Sequence, residues 1–227
     1  MVAYPRGKKM EFCKGVLHCG GYSTIAEGVI FMDFAANQIV FTPKKRLQFH
    51  IVREVQELTK IMPGLPENEV YKMISCGGFS SIAFVKYIAD KTRINRMIAS
   101  SLRVGKKHLM VLDNLYKQGK IGTIDFVVGS IMKNDSDTGK SYGYYDNLVT
   151  VCEANNWHVF SFNNHSKILL FDTNLGKFVL ETSSNLNENP NMEHFSFEKN
   201  NELFDAYKRA FEKLFERSAA DVKKDDS

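Results

Sequence analysis

The segment Asn164-His165-Ser166-Lys167-Ile168-Leu169-Leu170-Phe171-Asp172 sets an imidazole and an ammonium group two residues apart at the head of an apolar run. On extended backbone alternate side chains share a face, so His165 and Lys167 are expected to project together. That pairing suits phosphoryl chemistry. The ring supplies a nucleophile or a proton donor, and the cation holds non-bridging oxygens and stabilises the charge that builds up as phosphorus is attacked. Further along, Ser183 and Asn185 repeat the two-residue spacing on what reads as the end of a neighbouring strand. Both carry neutral hydrogen-bonding groups able to grip further phosphate oxygens. Four polar groups are thus expected to converge on one phosphate, at the rim of a sheet whose strands are otherwise apolar.

His165, Lys167 and Asp172 match the H-x-K-x4-D signature of the phospholipase D superfamily, and Ser183 with Asn185 matches its downstream G-S-x-N element. Thr182 stands where that family usually has glycine, which alters the turn or crowds the phosphate without removing a functional group. The chain resembles the superfamily over about residues 70–200. The resemblance implies an α/β, phospholipase D-like layered sandwich with a central mixed β-sheet flanked by helices. It also implies a metal-independent, cofactor-free phosphodiester cleavage in two steps. One histidine forms a phosphohistidine, a second histidine from a second motif protonates the leaving oxygen, and the roles reverse as water enters. This chain holds one motif and no internal repeat, so it resembles the small dimeric endonucleases of the group. Two-fold symmetry would bring two His165 side chains together at the interface of a homodimer. The family's acidic residue downstream of Ser and Asn, which orients the histidine ring, corresponds best to Glu193, with Glu181 and Glu188 as rivals. Asp172 is expected to support the motif rather than to touch substrate.

The elements that must position these residues begin with two apolar runs, 28–34 and 38–41, that read as a hairpin. A helix is expected from Thr42, with Pro43 at its first position and Leu47, Ile51, Val55, Leu58 and Met62 at helical spacing. Pro63-Gly64-Leu65-Pro66 ends it and divides an N-terminal extension, 1–66, from a catalytic domain, 67–218. Strands are expected at 70–76, 96–102, 124–130 and 158–162, alternating with helices at 79–90, 106–118 and 144–155. Gly77-Gly78 reads as a tight strand-to-helix turn. Paired strands follow at 168–171 and 177–181. A last helix starts near Asn201, with Leu203, Phe204, Tyr207, Ala210, Phe211, Leu214 and Phe215 on one face. The charged tail, 219–227, is expected to be disordered.

The 227 residues suffice for one well-filled core, and 44% hydrophobic with 25% charged residues matches a globular protein. No window approaches the apolar length of a membrane span, and the N-terminus lacks a secretory signal, so no membrane partner is expected and a cytoplasmic location is. Cys13, Cys19, Cys76 and Cys152 show no paired short spacing, which suggests neither a zinc site nor a disulfide framework; Cys13, His18 and Cys19 form the weak exception. The formal charge of +4 favours a polyanionic partner only slightly. Within it, Arg93, Arg96, Arg103, Lys106 and Lys107 form a cluster. Arg103, Lys106 and Lys107 are taken as contacts to a DNA or RNA backbone, and Lys44-Lys45-Arg46 form a second basic run. His18, His50, His108 and His158 stand apart from partnered chemistry and are expected to be surface or satisfied core residues, with His194 lining the pocket. The same residues would serve two other readings: a phosphodiesterase for phospholipids or small diesters, and an inactive nucleic-acid-binding or interaction protein of the same fold.

Overall fold

The computed structural model describes residues 24–25, 29–34, 37–41, 46–52, 56–75, 77, 79–133, 143–187 and 190–225. The expectations for Cys13, His18, Cys19, Lys44, Lys45, Cys76, Gly78 and Glu188 lie outside these residues. The chain divides into two compact units, Met1–Lys44 and Lys45–Ser227. The first holds a three-stranded antiparallel sheet of β1 (Thr24–Ile25), β2 (Val29–Phe34) and β3 (Asn37–Phe41). The anticipated hairpin is β2 with β3, paired from Ile30↔Phe41 to Phe34↔Asn37.

The second unit is an α/β layer built on one mixed eight-stranded sheet. Its strands are β4 (Arg46–Val52), β5 (Glu69–Ser75), β6 (Ile94–Ser101), β7 (Ile121–Gly129), β8 (His158–Phe162), β9 (Ile168–Thr173), β10 (Gly176–Thr182) and β11 (Glu193–Lys199). Their spatial order is β4-β5-β11-β10-β9-β6-β7-β8. The helices are α1 (Gln56–Ile61), α2 (Ile82–Lys91), α3 (Lys106–Lys117), α4 (Tyr144–Asn155) and α5 (Asn201–Asp225). Among the described residues no helix is long and apolar enough to cross a membrane.

One local reading is corrected. The helix expected from Thr42 is a strand over Arg46–Val52, parallel to β5 in register Leu47↔Val70, followed by the short α1. Leu47 and Ile51 satisfy a helical period, but with Phe49 they also satisfy a period of two, and the available strand edge decides between them. The boundary between the two compact units lies before β4. At the other end, α5 continues to Asp225, so the backbone stays helical through most of the expected tail. Ala, Lys and Asp in that stretch are compatible with helix continuation once an upstream helix has nucleated it.

Two apolar layers sandwich the sheet. One holds α2, α3 and their strand partners, with Phe79, Phe84, Phe126, Phe171, Phe178, Phe195 and Phe197 fully buried. Helix α3 buries Leu109, Leu112 and Leu115, the spacing that puts one helical face on the sheet. On the other face α5 crosses the strands diagonally. Lys177 on β10 pairs with Asp205, Arg96 on β6 reaches Glu212, and Phe160 on β8 stacks on Phe215 at 4.0 Å. Phe204 and Phe211 of α5 are buried against Ile98, Val127, Leu170 and Val179, each worth about 1.5–3 kcal/mol.

Candidate active site

Strand directions decide which candidates meet. Strands β6, β7 and β8 are mutually parallel, β9 runs antiparallel to β6 and β10, and β11 antiparallel to β10 and β5. The starts of β9 and β11 therefore share a rim with the ends of β5, β6, β7 and β10. On this rim lie His165 and Lys167 before β9, Ser183 and Asn185 after β10, Glu193 at the start of β11, and Arg103 after β6. Lys106 and Lys107 open α3 at the same rim. Ligands of open α/β sheets bind beyond the carboxyl ends of the parallel strands, which is this rim.

Asp172 is not among them. It lies near the far end of β9, five residues beyond Lys167, which corresponds to about 17 Å along the strand. There it stands opposite Arg96 and Lys177 in the sheet register. The basic cluster divides in the same way. Arg93 and Arg96 belong to the opposite rim, and Arg103, Lys106 and Lys107, all exposed, belong to this one. Lys106 sits over the Tyr144 ring, 5.6 Å from its centroid.

His165 is exposed and Lys167 half-buried, both in the connection leading into β9 rather than on the strand itself. Lys167 Nζ donates to the His165 carbonyl at 2.8 Å and lies 3.2 Å from His165 Nδ1. An ammonium group can only donate, so Nδ1 accepts and a neutral ring carries its proton on Nε2. Partial withdrawal from water holds the Lys167 pKa below its ordinary value, and the nearby Glu193 carboxylate pulls it back up. A cation held at such a cost gains most from an anion brought to it.

Glu193 is buried, at 7% exposure, and Ser183 Oγ donates to its Oε2 in a short hydrogen bond. The same hydroxyl accepts the His194 amide at 3.0 Å. Ser183 is thus committed inward to the carboxylate, and an incoming phosphate must compete for its proton with Glu193. Two residues along β11, on the face Glu193 shares, Phe195 meets Phe79 edge to face at 5.1 Å. The Glu193 rival Glu181 accepts from Tyr207 of α5, whose pKa is pushed up to about 12 by burial and by that hydrogen bond. His194 is exposed and, by strand alternation, faces away from Glu193.

Asn185 is oriented by its oxygen. Oδ1 accepts the Leu102 amide at 3.2 Å, and Ser101 Oγ lies at 3.4 Å. The carboxamide NH2 is then the end that can donate to an anion. The loop carrying Ser183 and Asn185 is held between its neighbours: Ser81 Oγ donates to the Asn185 carbonyl, Leu186 N to Ser101 Oγ, and Gly105 N to the Leu186 carbonyl. Gly77 has φ +99°, and a Cβ there would lie 2.4 Å from the Pro190 carbonyl oxygen, so the β5–α2 turn approaches this loop closely. Thr182, the departure from glycine, is buried; its hydroxyl donates to the His194 carbonyl at 2.8 Å and accepts the Ser184 amide at 2.9 Å. The threonine is built into the loop's hydrogen bonding rather than turned toward the rim.

Sequence reasoning passed over Ser81, Ser101 and Asn164, which hold these loops. Asn164 sits inside the motif segment, but no periodicity marks a side chain that bonds to strands elsewhere. Two further histidines have structural partners: buried His108 bonds Ser80 Oγ at 2.8 Å, and His158 bonds Asp125 at 2.8 Å. Among the described residues no group of three or more His, Cys, Asp or Glu is placed to hold a metal ion.

No protein-family model and no curated protein matches the chain. Among solved structures it is similar to a phosphatidylserine synthase from Haemophilus influenzae Rd KW20, at 15% identity and a TM-score of 0.47, over 64% of this chain and 38% of that one. It is similar to a polyphosphate kinase from Porphyromonas gingivalis at 13% identity and a TM-score of 0.42, over 57% and 23%. It is also similar to TrmBL2, an archaeal chromatin protein, at 16% identity and a TM-score of 0.42, over 71% and 59%. The chain spans less than two thirds of the length of each.

Proposed function

We propose that this rim is one half of the active site of a metal-independent phosphodiesterase, completed by a second copy of the chain, and that the enzyme is a homodimeric nuclease. The observation that carries the reading is an exposed imidazole with an ammonium group in contact, on the same rim as the Ser183–Glu193 pair and the Asn185 amide. In the first step a ring nitrogen of His165 forms a bond to phosphorus while the bond from phosphorus to the leaving oxygen breaks. The protonated His165 of the other copy gives its proton to that oxygen. Water then attacks the phosphohistidine, the second imidazole takes the proton of the water, and His165 is released. Lys167 and the Asn185 NH2 group bind non-bridging oxygens throughout. A phosphate that draws Lys167 away from Nδ1 also frees that nitrogen to take the ring proton, which leaves Nε2 unprotonated for attack.

Arg103, Lys106 and Lys107, exposed on the same rim, add positively charged side chains beside the His165–Lys167 pair. Those charges favour a nucleic-acid backbone over a small diester.

The test incubates the protein and His165→Ala with labelled DNA, RNA and phospholipid vesicles in excess chelator, with solution mass measured in parallel. Cleavage of nucleic acid that survives chelation and vanishes in His165→Ala, from a protein of dimer mass, is the expected result. Cleavage confined to lipid selects a lipid diesterase. A strictly monomeric active enzyme, or an inactive wild-type protein, overturns the proposal.

A further inference from the structure

His165 is exposed, so its aim depends on how its own loop is held. Asn164 makes most of that loop's side-chain hydrogen bonds to the sheet. Asn164 Nδ2 donates to the Val127 carbonyl of β7 at 2.9 Å and to Ser100 Oγ of β6 at 3.1 Å. Asn164 Oδ1 accepts the Ser166 amide at 2.9 Å and lies 2.7 Å from Ser166 Oγ. Ser100 Oγ and Ser166 Oγ are 2.6 Å apart. These contacts admit one closed circuit in which Asn164 donates to Ser100, Ser100 to Ser166, and Ser166 back to Asn164. Each hydroxyl then donates once and accepts at least once, and such circuits reinforce their members. Both donors and both lone-pair positions of the carboxamide are engaged.

The backbone makes room for this. A Cβ on Gly129, the last residue of β7, would lie 3.0 Å from the Asn164 carbonyl oxygen and 2.9 Å from that of Leu102. Glycine there lets the loop settle onto the strand ends. The residues on both sides of His165 are therefore tied to β6 and β7, and the ring between them is left outside.

We propose that Asn164 is the positioning residue of His165, setting its approach to phosphorus through the Ser100–Ser166 circuit; this rests on His165 being the reacting group. Attack geometry tolerates little displacement, and a shift of 1 Å costs about 100-fold in rate. Asn164→Ala, which removes every contact, is expected to lower kcat of chelator-resistant cleavage by about 100-fold while KM changes less than about threefold. Asn164→Asp keeps the acceptor for Ser166 and loses both donors. Ser166→Ala breaks the circuit and keeps the Val127 anchor, and is expected to lose about tenfold in kcat.

A merely structural role would lower the melting temperature and leave kcat per folded molecule intact. The imidazole NMR signals give a second readout that needs no turnover. The His165 ring, assigned by its disappearance in His165→Ala, is expected to shift or split in Asn164→Ala, while the His158 ring on the edge strand β8 keeps its position. Wild-type kcat together with unchanged His165 signals overturns the proposal. If wild-type protein cleaves nothing, the phosphodiesterase reading falls, and the ring signals alone decide whether Asn164 positions His165.

Discussion

Two histidines stand on one sheet, His165 at the rim before β9 and His158 at the start of the edge strand β8, level with Asp125, each exposed, and their partners are opposite in kind. His158 meets the carboxylate of Asp125, 3% exposed, whose other oxygen accepts from Arg96 at 2.7 Å; Arg96 in turn reaches Glu212 of α5. Every charge there faces its opposite, so the cluster ties α5 to β6 and β7 and has little left to offer a ligand. His165 meets a lysine, and the nearest carboxylate is occupied by Ser183. The first constellation is closed by neutralisation, whereas in the second the cation bonds a neutral ring and a carbonyl oxygen, with the Glu193 carboxylate nearby. A cation held by neutral acceptors can exchange them for an anion, whereas one closed in an ion-pair network is a fastening.

The sharpest way to break this contrast is to remove the cation. Lys167→Met is expected to cut cleavage by about 1000-fold or more, the scale seen when a member of a catalytic set is lost. It should leave stability unchanged or raised. The sign follows from the depressed Lys167 pKa: between the folded and unfolded values the unfolded chain binds more protons, so stability rises with pH there, and the charged lysine weighs against the fold below that window. A melting temperature that drops clearly in Lys167→Met would show the lysine to be a fastening too.

At the His158–Asp125 cluster the expected effects are reversed. Asp125→Ala leaves Arg96 and His158 without their shared acceptor and should cost about 2 kcal/mol in denaturant unfolding, with kcat per folded molecule preserved. A smaller effect belongs to Glu212, whose pKa is lowered by the Lys208 hydrogen bond and by Arg96. A depressed carboxylate stabilises the fold above its unfolded pKa, and that contribution is lost as pH falls through the folded value. Glu212→Gln should therefore flatten the acid limb of a stability-against-pH curve by a few tenths of a kcal/mol, about the worth of a partly exposed pair. The smallest effect is expected from Asp172→Asn, with kcat within about twofold of wild type, since the residue is remote from the site rim. A large loss of kcat there would join the two rims and defeat the comparison.

Much of the candidate site was legible because its information is local. The two-residue spacing from His165 to Lys167 and from Ser183 to Asn185 needs only extended chain ends to place each pair together. Strands β5 to β10 were anticipated within a few residues, since apolar runs bounded by turn residues mark them. Strand β11 was not read at all, although it brings Glu193 to the rim. The segment over Arg46–Val52 was misread because its apolar residues fit two periods, and only a free strand edge beside β5 chose between them.

By itself the sequence determined which chemical groups are present, how they are paired along the chain, and that strands and helices alternate around a large apolar core. Tertiary structure alone decided that the start of β9, the end of β10 and the start of β11 share a rim, that Asp172 is left at the other, and that Ser183 turns to Glu193 and Asn164 to Ser100 and Val127. The reason is physical: periodicity reports which face of its own element a residue occupies. Strand order and long-range hydrogen bonds arise from the pairing of segments far apart along the chain, as Ser81 and Asn185 are.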